Sequence, residues 1–126
     1  MEKRDIKILI VEDDVMLNKI YQTKLGLLGY SVYSSYDGDE GLKKADDLMP
    51  DLILLDLMLP KKNGFEVLSI IKSDPRTKMI PVIVLTNLNQ EIERRRAMEL
   101  GASEYLVKAD TKIDTLVDKV RKYMAY

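Results

Sequence analysis

The stretch DLILLDLMLP, residues 51–60, decides the fold. Leu52, Ile53, Leu54 and Leu55 follow one another with no polar alternation, which is the pattern of a strand whose sheet is covered on both faces. Asp56 comes next, where such a strand reaches the rim of a core. A carboxylate there is either an ordinary loop residue or a working group, and its partners elsewhere in the chain decide between the two.

Working outward, short apolar runs alternate with segments of helical period, β then α, five times. The strands are predicted over residues 6–11, 31–35, 52–56, 82–86 and 104–108. Leu17, Ile20, Tyr21, Leu25 and Leu28 form a helical stripe closed by Gly29, and Leu42, Ala45 and Leu48 form a second. Val67, Leu68 and Ile71 supply a third, and Ile92, Ala97 and Leu100 a weak fourth. Ile113, Leu116, Val117, Val120, Tyr123 and Met124 make a strong last stripe after TKID (111–114), a capping-box pattern.

Alternating β and α implies a parallel sheet with helices on both faces. ILIV, LILL and VIVL are apolar throughout and read as central strands, whereas SVYSSY alternates and EYLVK is short, as suits edges. The expected fold is therefore a flavodoxin-like (βα)5 doubly wound sheet of strand order 2-1-3-4-5. Such sheets bind ligands beyond the carboxyl ends of their strands, at the point where the order reverses.

Composition narrows the chemistry. The 126 residues are 46% hydrophobic with 6 Gly and 4 Pro, one globular domain's worth. Lys plus Arg total 20 and Asp plus Glu 21, so a net charge of -1 gives no general attraction to nucleic acid or to an anionic membrane. With no cysteine and no histidine, disulfides, thiol nucleophiles, the usual zinc sites and imidazole acid-base chemistry are excluded. No run approaches the roughly 20 apolar residues of a membrane span, so a soluble, cytoplasmic protein is expected. The arginines of EIERRRAMEL read as a solvated helix face, with Glu91–Arg95 and Arg95–Glu99 spaced for surface pairs. The seven methionines are scattered and read as core fillers rather than a cofactor box.

The predicted strands place Glu12, Asp13 and Asp14 after the first, Asp56 at the end of the third, Thr86 at the end of the fourth and Lys108 at the end of the fifth. Taken singly each has an ordinary explanation, and Asp14 reads as a helix cap. Their shared rim points to chemistry. Two unit charges about 4 Å apart repel by roughly 4 kcal/mol at an effective dielectric of ~20, so converging Glu12, Asp13 and Asp56 call for a raised pKa or a cation. Hard carboxylate oxygens suit Mg²⁺. With the Lys108 ammonium and the Thr86 hydroxyl nearby, the set reads as a phosphoryl-transfer site in which Asp56 is the nucleophile.

These motifs resemble the receiver domain of two-component response regulators across nearly the whole chain. ILIVEDD resembles its first strand and acidic pair, DLILLDLMLPKKNG its phosphoacceptor strand, PVIVLT its switch-hydroxyl strand and GASEYLVK its aromatic and lysine. The resemblance implies direct Mg²⁺ ligation by Asp13, Asp56 and the Met58 carbonyl, with Glu12 acting through water. It implies that Thr86 moves toward the phosphoryl group, that Lys108 pairs with it, and that Tyr105 changes rotamer. A sensor histidine kinase or phosphotransfer protein would donate to Asp56, and a downstream protein would read the surface of the fourth helix, fifth strand and fifth helix. Residues 1–126 are read as a single receiver domain with no output domain, making no direct contact with nucleic acid or membrane and acting as a phosphoacceptor rather than an enzyme.

Two positions depart from the family's common pattern. Asn87 follows the switch hydroxyl where a small residue is usual, and Ala109 replaces a proline after the lysine, so a trans Lys108–Ala109 peptide is expected. Met58 and Leu88, two residues beyond the phosphoacceptor and the switch hydroxyl, lack any group to orient a hydrolytic water, which predicts a long-lived phosphoryl state. A flavin site is disfavoured because EDDVML would repel a phosphate, and a haloacid-dehalogenase-like phosphatase because Met58 replaces its second acid. The competing expectation is a phosphorylation-independent interaction module of the same fold, against which the complete set of Glu12, Asp13, Asp56, Thr86 and Lys108 argues.

Overall fold

The computed structural model describes residues 5–124. In chain order the elements are β1 (Lys7–Val11), α1 (Val15–Leu27), β2 (Ser31–Ser35), α2 (Gly38–Leu48), β3 (Leu52–Leu55), α3 (Gly64–Ser73), β4 (Val82–Thr86), α4 (Glu91–Glu99), β5 (Glu104–Val107), a 3-10 turn (Lys108–Asp110) and α5 (Ile113–Tyr123). The five strands form one parallel sheet of order β2-β1-β3-β4-β5. All five expected strands and the expected order are present. β3 stops at Leu55 and β5 at Val107. Asp56 and Lys108 are thus the first residues beyond their strands, freed from the ladder at the rim.

Side-chain alternation explains why the central strands read as unbroken apolar runs. Ile8, Ile10, Leu52, Leu54, Ile83 and Leu85 face a core closed by Tyr21 and Leu25 of α1 and by Leu116, Val117 and Val120 of α5. Leu9, Val11, Ile53, Leu55, Val82 and Val84 face the opposite core, closed by Ala45 of α2, Val67, Leu68 and Ile71 of α3, and Ala97 of α4. Each fully buried aliphatic side chain contributes about 2 kcal/mol, so a polar substitution in any of the three strands disrupts one core whichever face it lands on. β5 is only partly buried throughout, as an edge strand should be.

Four expectations are corrected. Ile20 belongs to the outer face of α1 at 48% exposure, and Asn18, Tyr21 and Leu25 form its buried stripe. The TKID box does not form: the Thr111 hydroxyl donates to the Val107 carbonyl at 2.8 Å, closing the 3-10 turn, and α5 starts one residue later with Lys112 at its N-cap. Among the described methionines only Met124 is buried; Met16, Met49, Met58, Met79 and Met98 are exposed, because Leu, Ile and Val already fill both cores, and Met1 lies outside the described residues. On α4, Glu91 pairs with Arg94 at 3.4 Å rather than with Arg95, while Arg96 lies 4.1 Å over the Phe65 ring of α3. The helix is exposed along most of its length, as its charge pattern indicates.

Every peptide bond of the described residues is trans, Lys108–Ala109 included. No helix among them is long and apolar enough to cross a membrane.

Candidate functional site

The carboxyl ends of β1, β3, β4 and β5 bring the predicted polar residues together. Glu12 continues β1, its N–H bonded to the Ser35 carbonyl at 3.1 Å, and its side chain is turned inward and buried. One Glu12 carboxylate oxygen accepts from the Asp14 N–H at 3.0 Å and the other pairs with the Lys108 ammonium. Asp13 is exposed beside it. Asp14 caps α1, accepting from the Leu17 N–H at 3.1 Å, as the sequence indicates.

Asp56 is 4% exposed. Its Oδ1 accepts from the Met58 N–H at 3.0 Å, which draws the Met58 backbone alongside, and its Oδ2 accepts from Lys108 Nζ at 2.6 Å. Gly64 makes this packing possible: its N–H holds the Leu57 carbonyl at 2.9 Å, and a Cβ there would overlap the Asp56 carbonyl and Leu57 Cα. The glycine of the LPKKNG segment is thus a contact requirement, letting α3 start directly under the loop that carries Asp56.

Thr86 ends β4 fully buried, and its hydroxyl accepts a long bond from the Leu88 N–H at 3.4 Å. Tyr105 of β5 is half-buried and donates its hydroxyl to the Leu88 carbonyl at 2.8 Å, tying the β4–α4 loop to the edge strand. Burial, reinforced by the charges of Glu93 and Asp56, pushes the Tyr105 phenol up to about 12, so it remains a donor at physiological pH.

Carboxylate oxygens of Glu12, Asp13 and Asp56 all lie within 4.8 Å of one another. Burial pushes the Glu12 carboxyl up to about 6, with the Asp56 charge adding to the shift and the Lys108 and Asp14 bonds only partly offsetting it. Burial also disfavours the Lys108 ammonium, but the Asp56 and Glu12 hydrogen bonds and charges outweigh it and hold Lys108 above its ordinary value. The two members of this ion pair respond differently: two carboxylates hold Lys108 in its charged form against burial, whereas for Glu12 the bonds from Lys108 and Asp14 do not overcome burial. Three carboxylates against one ammonium leave a cluster short of cation, built from the hard oxygen donors that Mg²⁺ takes.

A family model for the response regulator receiver domain matches residues 8–121. The chain belongs to this family. The receiver domain is 42% identical over 102 residues to the DNA-binding dual master transcriptional regulator RpaA of Synechocystis, covering 81% of this chain and 42% of that protein. It spans about two-fifths of the length of the curated relatives it matches. Among solved structures it resembles the phosphorylated cyanobacterial phytochrome response regulator RcpA, with 34% identity, a TM-score of 0.85 and coverage of 97% and 96% of the two chains. It also resembles the receiver domain of the sensor histidine kinase PA1611 from Pseudomonas aeruginosa, solved with magnesium in its active-site cleft, with 26% identity, a TM-score of 0.86 and coverage of 98% and 100%.

One part of this receiver domain's site went unread in the sequence. Asn18, fully buried in α1, donates its amide to the Glu12 carbonyl at 2.9 Å and to the Ser35 carbonyl at 3.2 Å. The signal was its spacing, three before Tyr21 and seven before Leu25, which puts an amide inside an apolar stripe.

Proposed function

We propose that this receiver domain accepts a phosphoryl group on Asp56 from the phosphohistidine of a sensor kinase or phosphotransfer protein. The observation that carries the reading is the buried Asp56 carboxylate, 2.6 Å from Lys108 and within 4.8 Å of the Glu12 and Asp13 carboxylates. One Asp56 oxygen bonds to phosphorus as the P–N bond to the donor imidazole breaks. The electron pair of that bond stays on the ring nitrogen, which takes a proton from solvent. Asp13, Asp56 and the Met58 carbonyl would hold Mg²⁺, with Glu12 reaching it through water. The bound ion supplies positive charge to the phosphoryl oxygens.

Lys108 stabilises the charge that develops on the transferred group, and its short tether at the β5–α5 junction couples that charge to the far edge of the sheet. Thr86, whose hydroxyl proton is not needed by its long bond from Leu88, turns toward the phosphoryl oxygens. Tyr105 holds Leu88, so displacement of the β4–α4 loop is felt directly by its ring. The surface of α4, β5 and α5 then changes between two populated arrangements and is read by a downstream protein. We read residues 1–126 as one receiver domain working in the cytoplasm through protein contacts, without direct contact to nucleic acid or membrane.

The test is incubation with Mg²⁺ and a small acyl-phosphate donor, followed by mass measurement. Wild type gains one phosphoryl group, and Asp56→Asn, which fills the same volume without a nucleophilic oxygen, gains none. A phosphorylated Asp56→Asn protein overturns the assignment.

A further inference from the structure

We propose that Asn18 is a positioning residue for the acidic loop, setting Glu12 and Asp13 in the arrangement that binds the cation. The proposal rests on the reading of Glu12, Asp13 and Asp56 as a Mg²⁺ site. Asn18 touches neither the reacting atoms nor the three carboxylate groups; it acts on the peptide that carries two of them.

A buried asparagine inside a helix is costly twice over, in helix propensity and in desolvation of its amide. At zero exposure Asn18 offsets this only because all four of its hydrogen-bonding functions are used. The two amide protons go to the carbonyls of Glu12 and Ser35, at 2.9 and 3.2 Å, and Oδ1 accepts from the Ser34 hydroxyl at 2.7 Å and the Gln22 amide at 3.0 Å. Every partner of the amide protons is a strand end. The Ser35 carbonyl also receives the Glu12 N–H at 3.1 Å, so Asn18 extends the β1–β2 ladder by one rung after the backbone ladder has stopped.

That rung fixes the plane of the Glu12–Asp13 peptide. Rotation of this peptide would move the Asp13 carboxylate relative to Asp56. On the other side the loop is anchored by the Asp14 cap and by the Asn18 N–H on the Asp14 carbonyl at 2.9 Å. The Asn18 residue thus grips the three-residue acidic turn at both ends, once with its side chain and once with its backbone. Groups that orient metal ligands from behind typically control affinity by 10–100-fold when removed.

The experiment is calorimetric titration of Mg²⁺ alone into wild type, Asn18→Leu, Ser34→Ala and Thr77→Val, with melting temperatures of the four proteins in chelator. Asn18→Leu keeps the branched side-chain shape, with two methyl groups somewhat bulkier than the amide, and removes the grip; Ser34→Ala removes only the hydroxyl that steadies Oδ1. Thr77→Val deletes a buried hydroxyl bond to the Ile71 carbonyl at 2.7 Å, ahead of β4 at the opposite end of the sheet, as a control for lost stability. The expected result is a loss of Mg²⁺ affinity of about 10-fold or more in Asn18→Leu, a smaller loss in Ser34→Ala, and none in Thr77→Val although it melts lower. Wild-type affinity in a folded Asn18→Leu protein overturns the proposal, as does an equal loss in Thr77→Val. Should Asn18→Leu fail to fold, Ser34→Ala decides: unchanged affinity there overturns it. Failure of wild type itself to bind Mg²⁺ overturns the cation reading of the site, and a normal wild type with an unaffected Asn18→Leu overturns the role of Asn18 alone.

Discussion

Lys108 sits between Glu12 and Asp56, and both carboxylates are nearly buried. Removing one partner from a buried ionic set leaves the others without compensation, a loss of about 3 kcal/mol. Lys108→Ala is therefore expected to unfold at lower denaturant in chelator and to recover most of that loss in Mg²⁺, as read by urea titration with and without the ion. An equal deficit in both buffers contradicts the charge argument. We also expect single side chains to set the lifetime of the phosphoryl group. Met58 is 55% exposed and Leu88 partly buried, and neither has a polar group to hold a water in line with the breaking bond. We expect Met58→Asn with Leu88→Glu to lose its phosphoryl group about tenfold faster than wild type, followed by mass measurement over time; slower decay in Asn87→Ala than in wild type would assign water orientation to the Asn87 amide instead. At this scale the sequence was legible wherever a polar residue ended an apolar run, as at Glu12, Asp56, Thr86 and Lys108. At Asn18 only half of the signal was local: its spacing marks an amide inside an apolar stripe, but the contacts to the Glu12 carbonyl and to β2 that give it a role are recorded in no local pattern.

Elements differ in how firmly they are fastened to the sheet. α5 buries Leu116, Val117 and Val120 and is also tied to β5 by one acidic residue: Glu104 accepts from the Tyr123 hydroxyl at 2.6 Å and pairs with Lys119 at 3.3 Å and Lys122 at 3.5 Å. The Tyr123 hydrogen bond, with the two lysines, holds the Glu104 carboxyl below its ordinary value against the opposing effect of burial. A depressed folded pKa stabilises the fold above the unfolded value of about 4.3, and that contribution disappears as the pH falls from there through the folded value. Glu104→Gln is accordingly expected to show a flatter loss of stability below about pH 4.3 than wild type in urea midpoints measured from neutral pH downward. Parallel acid limbs for the two proteins count against the tie. α4 is the contrast, with Ala97 its one buried residue, and is held to the sheet far less firmly. Element type and order were legible because the apolar period changes cleanly between strand and helix. The start of α5 was not, because Thr111 had two possible hydrogen-bond partners and the 3-10 turn after β5 claimed it first.

For the whole molecule, strand order follows from two central features of the sequence, apolar runs in β1, β3 and β4 and polar relief in β2 and β5. Surfaces are less predictable, because burial of a face depends on what packs against it. Val15, Met16, Ile20 and Leu27 lie exposed along α1, from its start just after the acidic turn to its far end, and with Ile113 part of this face forms a groove of about 470 Å³ rimmed by Lys19 and Lys24. We expect the phosphodonor protein to dock on this apolar, basic-rimmed face from its end at the acidic turn, since the donor histidine has to come within bonding distance of Asp56. Met16→Glu and Leu27→Glu are expected to slow transfer from the cognate protein donor by tenfold or so while leaving the small acyl-phosphate reaction unchanged; equal slowing with both donors refutes a docking role. The ion pairs of Lys108 also bear on how the protein is made. They join the end of the first strand to the end of the last, and Lys108 is 52 residues beyond Asp56. A growing chain that has left the ribosome only through β4 carries its acids but not the ammonium that balances them. The charge balance of the acidic site is therefore reached only when the last strand has joined the sheet, and a copy lacking β5 and the residues after it holds its carboxylates without their ammonium.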